Sequence, residues 1–323
     1  MKRRNAFTLI ELLIVIGIIA CLIGLLLPVL HGVRRRALVL VCPIAYIGVD
    51  HRIHLTDPKG EYDITFDESY AQNSGIAWSP SGQKIGFRLL KRLDGSPGRK
   101  GGPAVLDPMS ARVTILKPLR EDEFGNGTPF GGWVDSANLL EGLVDGTAAI
   151  RDWESGAVQS IVTTPALIQL GVLSAPLPPH CAPMAYAASY QHQQILLLRR
   201  DLSFGKVVYD GPGVGGDVRI DPLGEWIAWG RAGTNGIRLK RLADHSSVAP
   251  TVIGKQLDRV SMCDWSEDGR LLVNVCESSS EKNAGGDWAL YILDKSGNVI
   301  RRLDTAVRPT EYDCASWRKY GHR

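Results

Sequence analysis

Residues Phe7 to Leu30 read FTLIELLIVIGIIACLIGLLLPVL, and every side chain in the run is apolar or small except Glu11. Read as a helix, the run is about 36 Å long at ~1.5 Å per residue. The hydrocarbon core of a bilayer is roughly 30 Å thick, so the run spans it with modest tilt. Lys2, Arg3 and Arg4 precede it and favour a cytoplasmic N-terminus, while Arg34, Arg35 and Arg36 follow it and weaken the charge bias. Glu11 is the informative residue. A carboxylate inside a spanning segment costs on the order of 2–3 kcal/mol unless it is paired, so it marks a function and calls for a partner.

The order Ala6-Phe7-Thr8-Leu9-Ile10-Glu11 resembles the class III signal of type IV pilins and type II secretion pseudopilins. The resemblance implies a basic leader, residues 1–6, removed by a prepilin peptidase between Ala6 and Phe7. It implies N-methylation of Phe7 and makes Glu11 the fifth residue of the mature chain. It also supplies the partner for Glu11, the α-amino group of a neighbouring subunit's Phe in a filament. Pro28 falls where pilin helices often carry a proline. The family usually has Gly before the cut, where this chain has Ala6. Two plainer readings compete. A simple signal anchor explains the apolar run but not Glu11. A lipoprotein signal is offered by Ile18-Ile19-Ala20-Cys21, but the apolar run continues nine residues past Cys21, beyond the 7–15 of an ordinary secretory core.

Beyond the anchor the chain changes character. From Cys42 onward, short apolar runs alternate with Gly, Asp, Ser and Pro clusters, which is an all-β pattern. The 35 Gly and 18 Pro show no collagen-like period and suit many short strands joined by turns. The strands recur. The clearest copy runs Gly75-Ile76-Ala77-Trp78-Ser79-Pro80-Ser81-Gly82 to Phe87 and continues with Ala104 to Leu116. Further copies run from Phe130 to Val162, Pro183 to Asp210, Val218 through GIRLKRL, and Val260 to Leu303. Pro43–Val49, Arg52–Asp57 and Tyr62–Phe66 lack a first strand, and Tyr312–Arg318 looks like a first strand without its followers. The two partial copies complement each other, so strand 312–318 is expected to complete the first blade and close a ring. A spacing of about 40–55 residues is that of propeller blades. The copies resemble the TolB-like propeller family, best at Trp78-Ser79-Pro80-Ser81-Gly82 and Trp265-Ser266-Glu267-Asp268-Gly269. The expected fold is all-β: a six-bladed β-propeller over residues 37–323, preceded by one transmembrane α-helix over 7–36. A seventh blade would need a unit within 163–182 or 231–256.

Little in the propeller reads as chemistry. Gly211-Pro212-Gly213-Val214-Gly215-Gly216 satisfies GxGxxG but stands between two strands, where dinucleotide binding needs a helix, so it reads as an inter-blade turn. His51 and His54 fall on opposite faces of a strand and would not share a metal. His180, His192 and His245 read as solvated or structural. There is no GxSxG, HExxH or P-loop. The eight Trp residues recur at blade positions and read as packing between blades. Asp135, Asp221, Asp264 and Asp268 read as turn caps. Of six Cys, Cys21 lies in the apolar run and the other five (Cys42, Cys181, Cys263, Cys276, Cys314) show no CxxC spacing, so buried thiols are the default expectation, with a disulfide in an exported domain left open and unassigned.

The net charge of +3 and the scattered basic residues give no argument for nucleic acid. The expected protein is a non-enzymatic, single-pass protein of the bacterial inner membrane, pilin-like or pseudopilin-like, without cofactor or metal. Its exported propeller would bind a protein or glycan in secretion or surface assembly. Its other partners would be the prepilin peptidase and pilin-like subunits. The alternative is a membrane-tethered TolB-like scaffold that never enters a filament.

Overall fold

The computed structural model describes residues 9–67, 71–89, 102–117, 119, 130–142, 147–163, 184–190, 194–199, 201, 203–211, 214, 218–230, 235–257, 259–277, 288–305 and 315–318. The chain divides into two compact units, Met1–Val41 and Cys42–Arg323.

The first unit is one helix, α1 (Leu9–Val41), which passes through Pro28 without ending. It runs five residues beyond the expected boundary at 36. Arg34, Arg35 and Arg36 are good helix formers and do not stop it. The first true breaker is Pro43, whose ring disfavours the helical region for the residue before it, Cys42.

The second unit is all-β. Sheet 1 holds β1 (Ile44–Ile47), β2 (Ile53–Thr56) and β3 (Asp63–Phe66). Sheet 2 holds β4 (Ala71–Trp78), β5 (Ile85–Leu89), β6 (Pro103–Asp107) and β7 (Arg112–Ile115). Sheet 3 holds β8 (Phe130–Trp133), β9 (Asn138–Gly142), β10 (Thr147–Asp152) and β11 (Val158–Thr163). Sheet 4 holds β12 (Met184–Tyr190), β13 (Gln194–Arg199) and β14 (Phe204–Asp210). Sheet 5 holds β15 (Val218–Ile220), β16 (Trp226–Trp229), β17 (Ile237–Arg241) and β18 (Thr251–Ile253). Sheet 6 holds β19 (Val260–Trp265), β20 (Leu271–Cys276), β21 (Trp288–Leu293) and β22 (Val299–Arg302). The last strand, β23 (Ala315–Trp317), heads sheet 1 in the order β23-β1-β2-β3.

Each sheet is an antiparallel meander, and the sheets follow one another as propeller blades. The leading strands neighbour each other: β23 lies between β19 and β4, β4 beside β8, β15 between β12 and β19. Among the described residues five blades are four-stranded, where the repeats gave six blades; β12–β14 make a three-stranded sheet. The sequence after β14 departs from that of the other copies. Residues 211–217 read GPGVGGD, four glycines and a proline where the other copies carry a β-branched or aromatic outer strand. Gly and Pro are poor strand formers. The stretch 231–256, where a further blade was conceivable, holds β17 and β18 of sheet 5. Residues 164–183 lie outside the described residues.

Position within a blade governs side-chain chemistry. β19 (VSMCDW) and β20 (LLVNVC) are buried along their whole length because neighbouring blades cover both faces. The outermost strand of the same sheet, β22 (VIRR), is exposed along its whole length. The core is therefore a series of inter-blade layers. Ala77, Val105, Trp133 and Leu139 fill the layer between sheets 2 and 3. Ala228, Leu239, Met262, Trp265 and Val273 fill the layer between sheets 5 and 6. Ile44, Tyr46, Ala315 and Trp317 of sheet 1 meet Cys263, Leu272, Leu290 and Ile292 of sheet 6, and this layer closes the ring.

Candidate functional site

Glu11 is the third residue of α1, and its backbone is helical. Ala6 and Phe7, the expected cleavage and methylation positions, lie outside the described residues. The side chains of Leu12, Leu13, Ile14, Ile16, Ile18, Ile19, Leu22 and Ile23 are all exposed. The helix is long and apolar enough to cross a membrane by length and composition. An apolar surface on every side is what a lipid-facing helix presents.

In the propeller, the repeated Trp-Ser-x-x-Gly segment builds one local structure. Ser79 N donates to Lys84 O (2.8 Å), Gly82 N to Ser79 O (2.8 Å), and the Ser79 hydroxyl accepts from Lys84 N (3.0 Å). The copy at Ser266 repeats these bonds, with Ser266 N to Arg270 O (2.8 Å) and Arg270 N to Ser266 Oγ (2.7 Å). Gly82 and Gly269 sit at φ 65° and 82°, where a side chain would be strained. Asp221 takes the serine's place in sheet 5 and accepts from Glu225 N and Trp226 N (2.7 and 2.9 Å).

Two of the blade tryptophans bond across to a neighbouring blade. Trp133 Nε1 donates to Ala77 O of the preceding blade (2.9 Å), and Trp265 Nε1 donates to Arg219 O (3.1 Å). Arg219 in turn donates from Nε to Cys263 O (2.9 Å). Asp135 caps its turn through Ala137 N and Asn138 N (2.7 and 2.8 Å). Asp268 pairs with Arg270 at 2.9 Å. Asp264 is not a turn cap. It lies on β19, buried, and its Oδ2 accepts from Ser316 Oγ (3.0 Å) and from Trp317 N (2.9 Å). The Ser316 hydroxyl also accepts from Trp78 N (3.2 Å). One carboxylate thus clasps the C-terminal strand to sheet 6, and one hydroxyl on that strand reaches sheet 2.

A second cluster escaped the sequence reading. His54 on β2 contacts Asp63 Oδ1 through Nδ1 (2.9 Å) and Asp50 Oδ1 through Nε2 (3.0 Å). Thr65 Oγ1 lies 3.2 Å from Nδ1. The other oxygen of Asp63 accepts from the hydroxyl of Tyr46, whose ring stacks on His54 at 5.0 Å between centroids. The register explains the grouping: Tyr46 is opposite His54 on β1–β2, and His54 is opposite Thr65 on β2–β3. Burial opposes the charged form of His54, but hydrogen bonds to Asp63 and Asp50 outweigh it and raise its pKa above the usual imidazole value. Asp50 is held low: burial opposes the shift, and the Arg52 backbone N–H and His54 outweigh it. Burial, then the Asp63 bond, raises the Tyr46 hydroxyl far above its ordinary value.

The remaining candidates fall into structural roles. His51 occupies the β1–β2 turn at φ 67°. His245 Nδ1 meets Ser247 Oγ at 3.0 Å in the turn before β18. His180 and His192 lie outside the described residues. Of the GxGxxG residues, Gly211 and Val214 are described; Val214 is buried against Val208 and Val218, and the strand β15 follows. Cys42, Cys263 and Cys276 are buried, and Cys21 is exposed on α1. Burial, reinforced by Asp57, pushes the Cys42 thiol up to about 11, so it stays protonated and unreactive near neutral pH. Cys181 and Cys314 lie outside the described residues. Among the described residues, no group of three His, Cys, Asp or Glu side chains is placed to hold a metal.

Fold and turn signature together define a β-propeller unit behind a single apolar helix. Residues 1–27 match the prokaryotic N-terminal methylation motif family. The chain is similar in structure to TolB from Acinetobacter baumannii, at TM-score 0.60 and 14% identity, over 85% of this chain. It spans 66% of that structure's length, just under two thirds, and at this identity the likeness shows the fold alone. No curated protein matches the chain in sequence.

Proposed function

We propose that this chain is a membrane-anchored, pilin-like protein of the bacterial inner membrane whose exported propeller binds a protein or glycan in secretion or surface assembly. The observation that carries the reading is the N-terminal methylation motif over residues 1–27 running directly into a helix long and apolar enough to cross a membrane. A prepilin peptidase then cuts between Ala6 and Phe7, and Phe7 is methylated. Glu11 becomes the fifth mature residue and pairs with the α-amino group of a neighbouring pilin-like subunit. The propeller's role is binding rather than catalysis. Its described polar clusters are spent on turns and on bonds within and between blades, which suits a rigid recognition platform.

A second reading is favoured by the junction. The propeller unit starts at Cys42, immediately after α1 ends at Val41, so a bulky domain follows a single helix without a spacer. Such a chain serves as a membrane-tethered TolB-like scaffold outside any filament. Mass spectrometry of the membrane-extracted N-terminus tests the first step. A mature chain beginning at N-methylated Phe7 is expected; a lipidated Cys21 or an intact Met1 overturns it. Glu11→Leu then separates the readings. Crosslinking to pilin-like subunits is expected to collapse if Glu11 is an assembly residue. Membrane insertion unchanged or improved, with no crosslink in either protein, supports the tethered scaffold.

A further inference from the structure

The contacts of His54 have a consequence that lies beyond partner binding. Each ring nitrogen faces a carboxylate oxygen, Asp63 at 2.9 Å and Asp50 at 3.0 Å. A neutral imidazole has one N–H and one lone pair, so it can donate to only one of them. Only the imidazolium satisfies both. The arrangement is built tightly: a Cβ on Gly48 would lie 2.6 Å from His54 Nε2 and 2.7 Å from Asp50 Oδ1, so a glycine is needed for the approach. Asp63 passes the contact on, because its second oxygen accepts the Tyr46 hydroxyl. Tyr46 is in β1, opposite Ala315 of the C-terminal strand, and is buried in the layer that joins sheets 1 and 6.

We propose that His54 is a proton-operated latch on ring closure: as imidazolium it ties the β1–β2 turn and β3 to Tyr46, and loss of the proton loosens the pairing of β1 with β23.

Among the described residues, the charged and titratable groups around it are few. Asp50 and Arg52 come from the β1–β2 turn, and Arg52 is itself paired with Asp67 at 2.9 Å. Asp63 comes from β3. From β1 comes the Tyr46 hydroxyl; Cys42, two residues before β1, has its thiol pushed up to about 11 by burial and stays protonated through the range that matters. The side of sheet 6 packed on Tyr46 contributes Leu272, Leu290, Ile292 and the thiol of Cys263. With the folded-state pKa raised above the unfolded value of about 6.5, the stabilisation is complete below about pH 6.5. It is lost as pH rises through the folded-state value.

Hydrogen–deuterium exchange of the full chain in detergent micelles, from pH 5.5 to 9.5 with intrinsic rates divided out, reads the latch. The peptides to follow cover 44–47 and 315–317. The opening constant of these peptides is expected to rise with pH, by about tenfold for each unit by which the folded-state pKa exceeds 6.5. Peptides of sheets 3 and 5 are expected to stay flat. His54→Gln is expected to remove the dependence and show at pH 6 the opening that the native protein shows at pH 9. Asp50→Asn, which keeps the Asp63–Tyr46 contact, is expected to shrink the dependence and keeps the test open if His54→Gln does not fold. A pH-independent opening constant in the native protein overturns the proposal, as does a full dependence retained in either variant.

Discussion

Asp264 holds three backbone or side-chain donors of the closing region: Trp265 N at 2.8 Å through Oδ1, and Ser316 Oγ and Trp317 N through Oδ2. A buried donor left without its acceptor costs roughly 1–3 kcal/mol. Asp264→Ala is therefore expected to destabilise the propeller by about 2–4 kcal/mol in denaturant unfolding followed by Trp fluorescence. Asp264→Asn, which keeps a carbonyl acceptor, is expected to cost about half as much. Equal stability of all three proteins would show that the clasp contributes nothing. The carboxylates also illustrate what residue-level reading can reach. Asp135 and Asp221 were legible as caps because their donors lie two to five residues away. Asp264 was not, because two of its three partners, Ser316 and Trp317, are more than fifty residues away and only the ring brings them near. His54 was half legible: Asp50 is four residues off, but Asp63 reaches the ring only through the β2–β3 register.

At the scale of the element, β23 carries more than its three residues indicate. Ala315 and Trp317 are buried in the closing layer, and its backbone covers the edge of β1. Arg318 N continues the ladder to Pro43 O (2.8 Å), and the Arg318 guanidinium stacks over Trp78 of sheet 2 at 4.8 Å. Removing a buried Trp side chain alone costs about 3–5 kcal/mol. Trp317→Ala is expected to lower the unfolding free energy by that amount. A chain ending at Thr305 is expected to lose cooperative unfolding and become protease-sensitive across sheets 1 and 6. Limited proteolysis at matched concentration checks this; a truncated chain as resistant as the full one would mean that β23 does not close the ring. The repeats made this strand readable, since an orphan first strand at one end matched a missing one at the other. They misled at sheet 4, where composition after Asp210 turns to glycine. A strand count taken from average spacing does not notice that.

The whole molecule is two units with different surfaces. Every large apolar side chain from Leu12 to Ile23 on α1 is exposed, whereas the propeller has its own inter-blade cores. A chain of residues 42–323 is expected to be soluble without detergent and to unfold cooperatively, and the full chain to require detergent. Circular dichroism and sedimentation of both decide the matter; aggregation of 42–323 under conditions where the full chain stays monodisperse in detergent would mean that the propeller depends on the helix.

Local order came from the residues themselves. The apolar run makes a helix because nothing breaks it before Pro43, and the Trp-Ser-x-x-Gly turns form because a serine hydroxyl and a left-handed glycine meet within five residues. Those outcomes depend on neighbours in the chain, so the amino-acid order determines them. Which carboxylate clasps the last strand and which proton the closing blade holds depend on residues far apart in sequence. Only the closed ring places them within hydrogen-bond reach, and so only the tertiary structure decided them.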